Sequence, residues 1–443
     1  MAVQLAKRTH QLPKAVAARR LGAWLVIVGF VLSQFVEFTV SNIGGFDISV
    51  QKLVALAVFP AAFILIGHIR FSRTLVTFAI LMILANSAAY AVGSDISDPE
   101  LLSANVVVLI GFLGATLLFT ALSQDRREFA TLGRVWAVFA AISSLIVIGQ
   151  VGGILPLWAV SGEALGMRAA EAGSLYRGTG LRFDPNYEAL ALVIGLVFAR
   201  FYMRRIRFLT ILLIMLGIAG TFSRMGFIAA ALILVTASPV QAWVERKAFA
   251  RALIKALGYI VSLITISIGF YMAVPDNIRS YINLRVAQLS GVIHTPVYEG
   301  TATGITSAEE RVWLLHAAVQ VISQHFAFGV GAYREPEFLY YATGVDKTAH
   351  NTYLEAVLIG GVIGIFALCL YIFAVTRALY RSRLRTVNPT DRSSILMVVY
   401  AFAFMAAFLT MNYNSILWFP LVITLAYAES TSPNRRKKQH ASP

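Results

Sequence analysis

Charged residues are scarce in this chain of 443 residues. They make up 13% of it, about half the share found in soluble domains. Hydrophobic residues make up 58%, and the mean hydropathy is +0.73. This balance excludes a water-soluble globular protein, because too few polar side chains are available to cover its surface. We therefore expect a protein of the lipid bilayer.

Cysteine is almost absent, because Cys369 is the single one and lies within an apolar run. One thiol excludes an intramolecular disulfide and a cysteine metal cluster. The segments between apolar runs also lack the spaced Asp, Glu and His side chains that hold divalent cations, and Asp47, Asp95 and Asp98 have no such neighbours. The sequence contains no glycine-rich phosphate loop and no nucleophile elbow. We expect an activity without metal or cofactor.

Apolar runs long enough to cross a ~30 Å hydrocarbon core recur along the chain. The first, residues 21–40, follows five cations but is too long for a signal peptide and has no cleavage site after it. We interpret it as an uncleaved membrane helix. The other clear runs lie at about 51–68, 73–92, 101–122, 131–150, 187–203, 256–274, 351–376, 394–411 and 414–429.

The apolar stretch 207–238 is either one long helix or a tight hairpin that turns at 221–224. Cations cluster before it, at 200–207, and after it, at 246–255. Cytoplasmic loops are enriched in Lys and Arg, so both clusters are cytoplasmic only if the stretch crosses the membrane twice. The hairpin predicts about twelve transmembrane helices with both termini inside.

The net charge of +15 agrees with this topology. Of the 37 Lys and Arg residues, 27 fall in the predicted cytoplasmic segments, and eight of the other ten are arginines. An outward-facing arginine set is unusual and indicates function. No basic patch occurs in a soluble segment, so we expect contacts with membrane lipids and none with nucleic acid.

We therefore predict an all-α polytopic membrane protein with one transmembrane domain, residues 21–429. A basic cytoplasmic N-terminus (1–20) precedes it, and a basic cytoplasmic tail (430–443) follows it. Two outer loops are long, 151–186 and 275–350, and the second lies between spans nine and ten.

The second outer loop carries two helical patterns. One lies near 277–293. The other opens at the capping box Ser307-Ala308-Glu309-Glu310 and runs to Phe328, before a Gly-Val-Gly stop.

Arg224, at the hairpin turn, is the first candidate for chemistry. Helices of about 14 residues on each side would reach only ~21 Å, so the turn would lie below the outer membrane surface. An arginine at that depth faces a polar cavity, unless it snorkels to the interface. Arg311, beside two glutamates in the first turn of the outer helix, fits an anion site or a surface ion pair.

His350 begins the apolar run after the second outer loop. With Thr348 as N-cap, His350 lies in the first helical turn, at the mouth of the cavity. A neutral imidazole there can accept a proton near pH 7, although a hydrogen-bonded interface histidine is the commoner role. The spacing to Glu355 gives no reason to pair the two side chains.

Asp184-Pro185-Asn186 opens the sixth span. An Asp N-cap followed by proline is an ordinary helix start. Arg177 and Arg182 precede it closely, so an anion site is the alternative interpretation.

Taken in order, these segments resemble the bacterial O-antigen ligase and polysaccharide polymerase superfamily. The resemblance covers roughly residues 175–375 and includes the long outer loop before His350. The matching pieces are Arg182-Phe183-Asp184-Pro185-Asn186, Thr221-Phe222-Ser223-Arg224, Glu310-Arg311 followed by His325-Phe326-Ala327-Phe328-Gly329-Val330-Gly331, and Ala349-His350-Asn351-Thr352-Tyr353-Leu354.

The resemblance implies a membrane glycosyltransferase that moves a glycan from an undecaprenyl-pyrophosphate carrier to an acceptor hydroxyl. The reaction would be metal-independent, would invert the anomeric centre, and would take place at the periplasmic face of the bacterial inner membrane. The acceptor would be a lipid A–core sugar, the end of a second lipid-linked glycan, or a protein hydroxyl.

In that reaction His350 would deprotonate the acceptor. Arg224, Arg311 and Arg182 would bind the pyrophosphate, whose oxygens guanidinium groups match in pairs. The remaining candidates, Asp184, Asn186 and Asn351, would support the site.

A twelve-span transporter or glycolipid flippase is the alternative. Carriers of the major-facilitator type usually divide six and six around a long cytoplasmic loop. The long loop predicted here is external and lies later in the chain, which favours the enzyme.

Overall fold

The apolar runs of the sequence are helices in the computed structural model. It describes residues 2–37, 39–43, 46–93, 99–157, 177–273, 279, 283, 307–344, 347–383, 388–412 and 414–431. The helices are α1 (Ala2–Phe35), α2 (Val50–Ile66), α3 (Arg73–Gly93), α4 (Pro99–Gln124), α5 (Arg127–Val151), α6 (Pro185–Tyr202), α7 (Arg207–Gly220), α8 (Arg224–Glu245), α9 (Phe249–Ala273), α10 (Ser307–Gln324), α11 (Glu335–Thr343), α12 (Thr352–Arg383), α13 (Pro389–Ala406) and α14 (Trp418–Ser430). A 3-10 turn, Ser415–Leu417, precedes α14.

Six helices in the described part are long and apolar enough to cross a bilayer: α1, α3, α4, α5, α8 and α12. Shorter apolar helices lie at 57–66, 207–220 and 415–430. The predicted class, a helical integral membrane protein, is confirmed. The count of twelve spans and the loop between spans nine and ten stay predictions.

The N-terminal part differs from the prediction in two ways. The predicted cytoplasmic segment 1–20 is helical from Ala2 and continues into the first membrane helix as α1. A short antiparallel hairpin that the sequence did not predict, β1 (Thr39–Ile43) and β2 (Phe46–Ser49), follows α1. In the sequence a Gly-Gly pair separates the strands, and such pairs favour two-residue hairpin turns.

The stretch 207–238 forms two helices, α7 and α8, as the charge distribution predicted. They are separated by the turn at 221–223. α7 has 14 residues, as expected, but α8 has 22 and runs to Glu245. The estimate that both helices are too short to cross therefore holds for α7 alone.

α6 lies at the centre of the helical bundle, packed against α5, α7, α8 and α13. Most of its side chains are buried, which is typical of a helix that is apolar on all sides. Trp136 of α5 donates a hydrogen bond of 2.9 Å from its indole nitrogen to the Ala191 carbonyl and stacks near Phe419, with ring centroids 4.5 Å apart. These contacts fix the position of α6, which carries candidate residues at its start.

α12 is interrupted at Gly361, whose backbone is non-helical (φ 53°, ψ −130°). The carbonyls of Leu358 and Ile359 accept hydrogen bonds from the N–H groups of Val330 and Gly331, at 2.8 and 3.0 Å. A broken helix inside a membrane needs such partners, since lipid offers no hydrogen bonds. The loop after α10 therefore supplies the hydrogen-bond donors that the interrupted part of α12 needs.

This loop also gives a physical reason for the Gly-Val-Gly segment. Gly329 and Gly331 have φ of 71° and 91°, a region that residues with a β-carbon rarely adopt. A β-carbon at Gly329 would collide with the Ile359 carbonyl. α10 begins at Ser307, as predicted, and ends at Gln324, four residues before the predicted end, because the chain turns to meet α12.

Several predictions fall on other parts of the chain. The helical pattern near 277–293, apart from 279 and 283, the outer-loop residues 158–176 and the tail 432–443 lie outside the described residues.

Candidate active site

The start of α6 is the helix start that the sequence predicted. Asp184 is the N-cap, and its carboxylate accepts a hydrogen bond of 2.6 Å from the backbone N–H of Asn186. Pro185 occupies the first helical position, where a missing N–H is tolerated. The cap fixes the place of the Asn186 side chain at the end of the bundle where α8 and α12 also begin.

Arg177 joins the start of α6 to the α7–α8 turn. Its Nε donates to the Thr221 carbonyl at 3.0 Å, and its Nη2 donates to Asn186 Oδ1 at 3.2 Å. The backbone N–H of Gly178 donates to the Gly220 carbonyl at 3.0 Å. Two segments that are separate in the sequence, 182–186 and 221–224, therefore lie close together.

The α7–α8 turn places Arg224 at the first position of α8. Phe222 adopts a left-handed φ of 49°, and the Ser223 hydroxyl caps α8 by accepting from the Gly226 N–H at 3.3 Å. Arg224 is half-buried. A guanidinium group at the positive end of a helix dipole adds to the field that attracts anions. This arrangement suits an oxyanion such as phosphate.

Arg182 is enclosed by protein. Its side chain is 1% exposed, and its Nε pairs with Glu37 Oε2 at 3.1 Å. Its Nη1 donates to the Gln34 carbonyl at 2.5 Å, and its guanidinium carbon lies 5.6 Å from the Tyr187 ring centroid. These contacts tie the end of α1 to the start of α6. The guanidinium group therefore has an internal anchoring role in this arrangement, which differs from the direct pyrophosphate contact implied by the resemblance.

A chain of hydrogen bonds leads from Tyr187 to the start of α12. The Tyr187 hydroxyl donates to the Thr410 carbonyl, and the Thr410 hydroxyl donates to Glu355 Oε1. Asn412 Nδ2 lies 3.5 Å from Glu355 Oε2. Glu355 is fully buried, so these partners offset the cost of removing its carboxyl group from water.

His350 lies in a turn that Glu355 holds. The backbone N–H of His350 and the side chain of Thr348 both hydrogen-bond the Glu355 carboxyl group. Thr348 Oγ1 also lies 2.9 Å from Thr410 Oγ1. His350 has a left-handed φ of 51°, an uncommon conformation that persists where the surroundings determine it. The Glu355 carboxyl group thus fixes the backbone from which the half-buried imidazole projects.

Asn351 is the residue that caps α12. Its Oδ1 accepts hydrogen bonds of 3.1 Å from the N–H groups of both Tyr353 and Leu354. The prediction that Thr348 caps this helix is wrong, because its hydroxyl is engaged by the bonds described above. His350 therefore precedes the cap by one residue and does not lie in the first helical turn.

Arg311 is the fifth residue of α10. Leu314, one turn further along the same face, is fully buried in an apolar cluster that contains Ala349. Arg311 itself is half-buried. The packing of α10 on α12 brings the Arg311 helix and the His350 turn to one side of the molecule.

Four residues of this network were not singled out from the sequence: Glu37, Tyr187, Glu355 and Thr410. A signal was present at Glu355, because an acidic residue inside an apolar run is costly and usually functional. The partners could not be predicted, since the bonded pairs are separated by 145, 223 and 55 positions.

Residues 208–369 match a protein-family model described as O-antigen ligase. The matched region contains Arg224, Arg311, the glycine loop and the His350 turn, and it leaves the start of α6 outside. No match was found among the curated proteins.

Proposed function

We propose that this chain belongs to the O-antigen ligase and polysaccharide polymerase superfamily and transfers a glycan from an undecaprenyl-pyrophosphate carrier to an acceptor hydroxyl, and the family match over residues 208–369 supports this. The reaction takes place at the periplasmic face of the bacterial inner membrane. The observation that carries the proposal is the meeting, at one end of the bundle, of the Arg224 turn, the start of α6 and the His350 turn.

On the donor side, Arg224 and Arg311 bind the pyrophosphate. Departure of the carrier leaves an additional negative charge on the pyrophosphate, and positioned guanidinium groups stabilise that charge in the transition state. Both side chains are half-buried, and Arg224 follows the turn that Arg177 joins to the start of α6. Arg182 contributes indirectly, by holding α1 against α6. Asp184 caps the start of α6, and Asn186 bonds Arg177, which contacts the Arg224 turn.

On the acceptor side, His350 is the general base. It removes the proton from the acceptor hydroxyl as the oxygen forms a bond to the anomeric carbon. The bond from that carbon to the pyrophosphate oxygen breaks, and its electron pair leaves with the carrier. Attack from the face opposite the leaving group inverts the anomeric centre.

Glu355 positions the base and does not contact the substrate. Its carboxyl group bonds the His350 backbone and, through Thr410, is connected to Tyr187 at the start of α6. These hydrogen bonds thus set the position of His350 relative to the start of α6. Asn351 supports it by capping α12.

The donor is a lipid-linked glycan, and the acceptor is a lipid A–core sugar, a second lipid-linked glycan or a protein hydroxyl. The guanidinium groups take the part that a divalent cation plays in many glycosyltransferases. We therefore expect full activity in excess EDTA. Loss of activity that Mg²⁺ or Mn²⁺ restores would contradict this part of the proposal.

The test uses purified full-length protein in detergent with a lipid-linked glycan donor. We expect His350→Ala to lower the single-turnover rate about 10²–10⁴-fold while donor affinity stays the same. His316→Ala changes an exposed histidine on α10 and is the matched control, which we expect to retain activity. A His350→Ala protein with the wild-type single-turnover rate would remove the base assignment. Turnover in detergent also separates transfer from transport, because no second compartment exists there.

A further inference from the structure

A basic pocket lies at the end of the bundle opposite the candidate active site. α8 begins at Arg224 and has 22 residues, a rise of about 33 Å, so its end lies a membrane thickness away. The pocket has a volume of about 370 Å³, within the range of small-ligand sites. Its walls come from the turn between α8 and α9 and from the first turn of α13.

Among the described residues, three cations line this pocket: Arg246, Lys247 and Arg392. Glu245 Oε2 pairs with Lys247 Nζ at 2.5 Å, so cations outnumber carboxylates among these described residues. The C-terminal dipole of α8 accounts for Arg246 and Lys247, because cations are favourable there. It does not account for Arg392, which lies in the first turn of α13, where a helix dipole disfavours a cation.

The rim of the pocket is apolar and open. Trp243 and Phe249 are 53% and 54% exposed, and the Arg392 guanidinium carbon lies 5.8 Å from the Trp243 ring. Exposed aromatic rings at this level are typical of the membrane–water interface. The pocket therefore joins cationic side chains to an apolar edge at the end of a helix long enough to cross a bilayer.

We propose that this pocket binds the phosphodiester headgroup of an anionic membrane lipid. Guanidinium groups pair with phosphate oxygens, and basic pockets between membrane helices on the cytoplasmic side bind such headgroups. The apolar rim selects a lipid over free phosphate, because Trp243 and Phe249 provide a surface for the upper acyl chain. The inference does not depend on the proposed transferase activity.

The first measurement uses the tryptophan at the rim. Phosphatidylglycerol brominated on its acyl chains is added to the purified protein in detergent, and brominated phosphatidylcholine serves as the reference. We expect phosphatidylglycerol to quench fluorescence more strongly, and this difference to disappear in Trp243→Phe. Equal quenching by both lipids would overturn the proposal.

The second measurement compares two double variants by native mass spectrometry with added phosphatidylglycerol. Arg246→Gln/Arg392→Gln should weaken binding about 30-fold, since each cation near an anionic lipid contributes roughly fivefold. Arg204→Gln/Arg205→Gln removes two exposed cations outside the pocket at the same end and should leave binding unchanged.

Equal losses in both double variants would mean diffuse attraction by surface charge and would refute a defined pocket. Displacement of phosphatidylglycerol by millimolar inorganic phosphate would assign the site to free phosphate and refute the lipid. Thermal unfolding of each variant checks that the protein is folded.

Discussion

Replacement of Glu355 by glutamine tests how the fold orients the proposed base. The substitution keeps the shape of the side chain but changes one carboxyl oxygen into an NH₂ donor. In the structure both oxygens accept: Oε1 from Thr410, and Oε2 from Asn412 at 3.5 Å, with the His350 N–H as a further donor to the carboxyl group. At the Oε2 position the amide NH₂ faces the donor-only NH₂ of Asn412, and at the Oε1 position the Thr410 hydroxyl can accept from it only by giving up the bond it now donates.

A buried donor left without an acceptor costs about 1–3 kcal/mol. If that cost falls on the His350 turn, it corresponds to a loss of about 5- to 150-fold in rate. Glu355→Ala removes every acceptor. Thr348 and Thr410 can still bond each other, since their hydroxyls are 2.9 Å apart, and Asn412 Nδ2 keeps the Thr352 carbonyl at 3.5 Å, but the His350 N–H loses its acceptor. We expect the alanine variant to lose about 1–3 kcal/mol of stability for that one donor.

The assay measures single-turnover rate and donor affinity on the same purified variants. For Glu355→Gln we expect the single-turnover rate to fall about 5- to 150-fold. Donor affinity should stay within about twofold, because the cations proposed to bind pyrophosphate do not depend on Glu355. Asp391→Asn is the matched control: it alters a buried carboxylate at the opposite end, which accepts from the Tyr202 hydroxyl at 2.8 Å. A wild-type rate in Glu355→Gln, or an equal loss in Asp391→Asn, would refute the positioning role.

Three further predictions use other parts of the chain. Arg224→Lys should bind lipid-linked glycan more weakly than wild type in a titration and should keep only part of the activity that Arg224→Ala loses, because an ammonium group cannot pair with two phosphate oxygens as a guanidinium does. Full activity in Arg224→Lys would contradict bidentate binding of the pyrophosphate by Arg224. Gly329→Ala should lower the thermal midpoint more than Gly344→Ala, because both have φ of 71° but only Gly329 approaches backbone; equal shifts would contradict the packing described. In spheroplasts, Gly300→Cys should react with an impermeant maleimide, and Arg383→Cys only after permeabilisation; labelling of 383 from outside would overturn the twelve-span topology.

The helices could be predicted from the sequence because each depends on a local property. An apolar run of sufficient length must be helical in a bilayer, where only internal hydrogen bonds satisfy the backbone. Helix starts such as Asp184-Pro185 and the cap at Ser223 depend on neighbouring residues and are equally local. The choice between Thr348 and Asn351 is not local. Both are good N-caps, and the contact of Thr348 with Thr410 decides it.

The side-chain network that holds the candidate site could not be predicted either, because its bonds join residues that are far apart in the sequence. The Arg182–Glu37 pair connects two helices through side chains 145 positions apart, and one sequence does not report distant pairs. The break at Gly361 left a signal in the run of glycines in α12. The partner of the break, the loop after α10, became evident only from its hydrogen bonds to α12.

The arginines predicted from the sequence to face outward serve different purposes in the structure, although the charge pattern presents them as one set. Arg182 is paired with Glu37 and buried, so the pair carries no net charge and adds little to the field at the site. Arg177 is engaged in bridging two turns. The two arginines proposed to bind the pyrophosphate, Arg224 and Arg311, are half-buried, whereas Arg182 is enclosed by protein. Burial, more than the number of cations, thus separates the arginines that can reach a substrate from the one that anchors the fold.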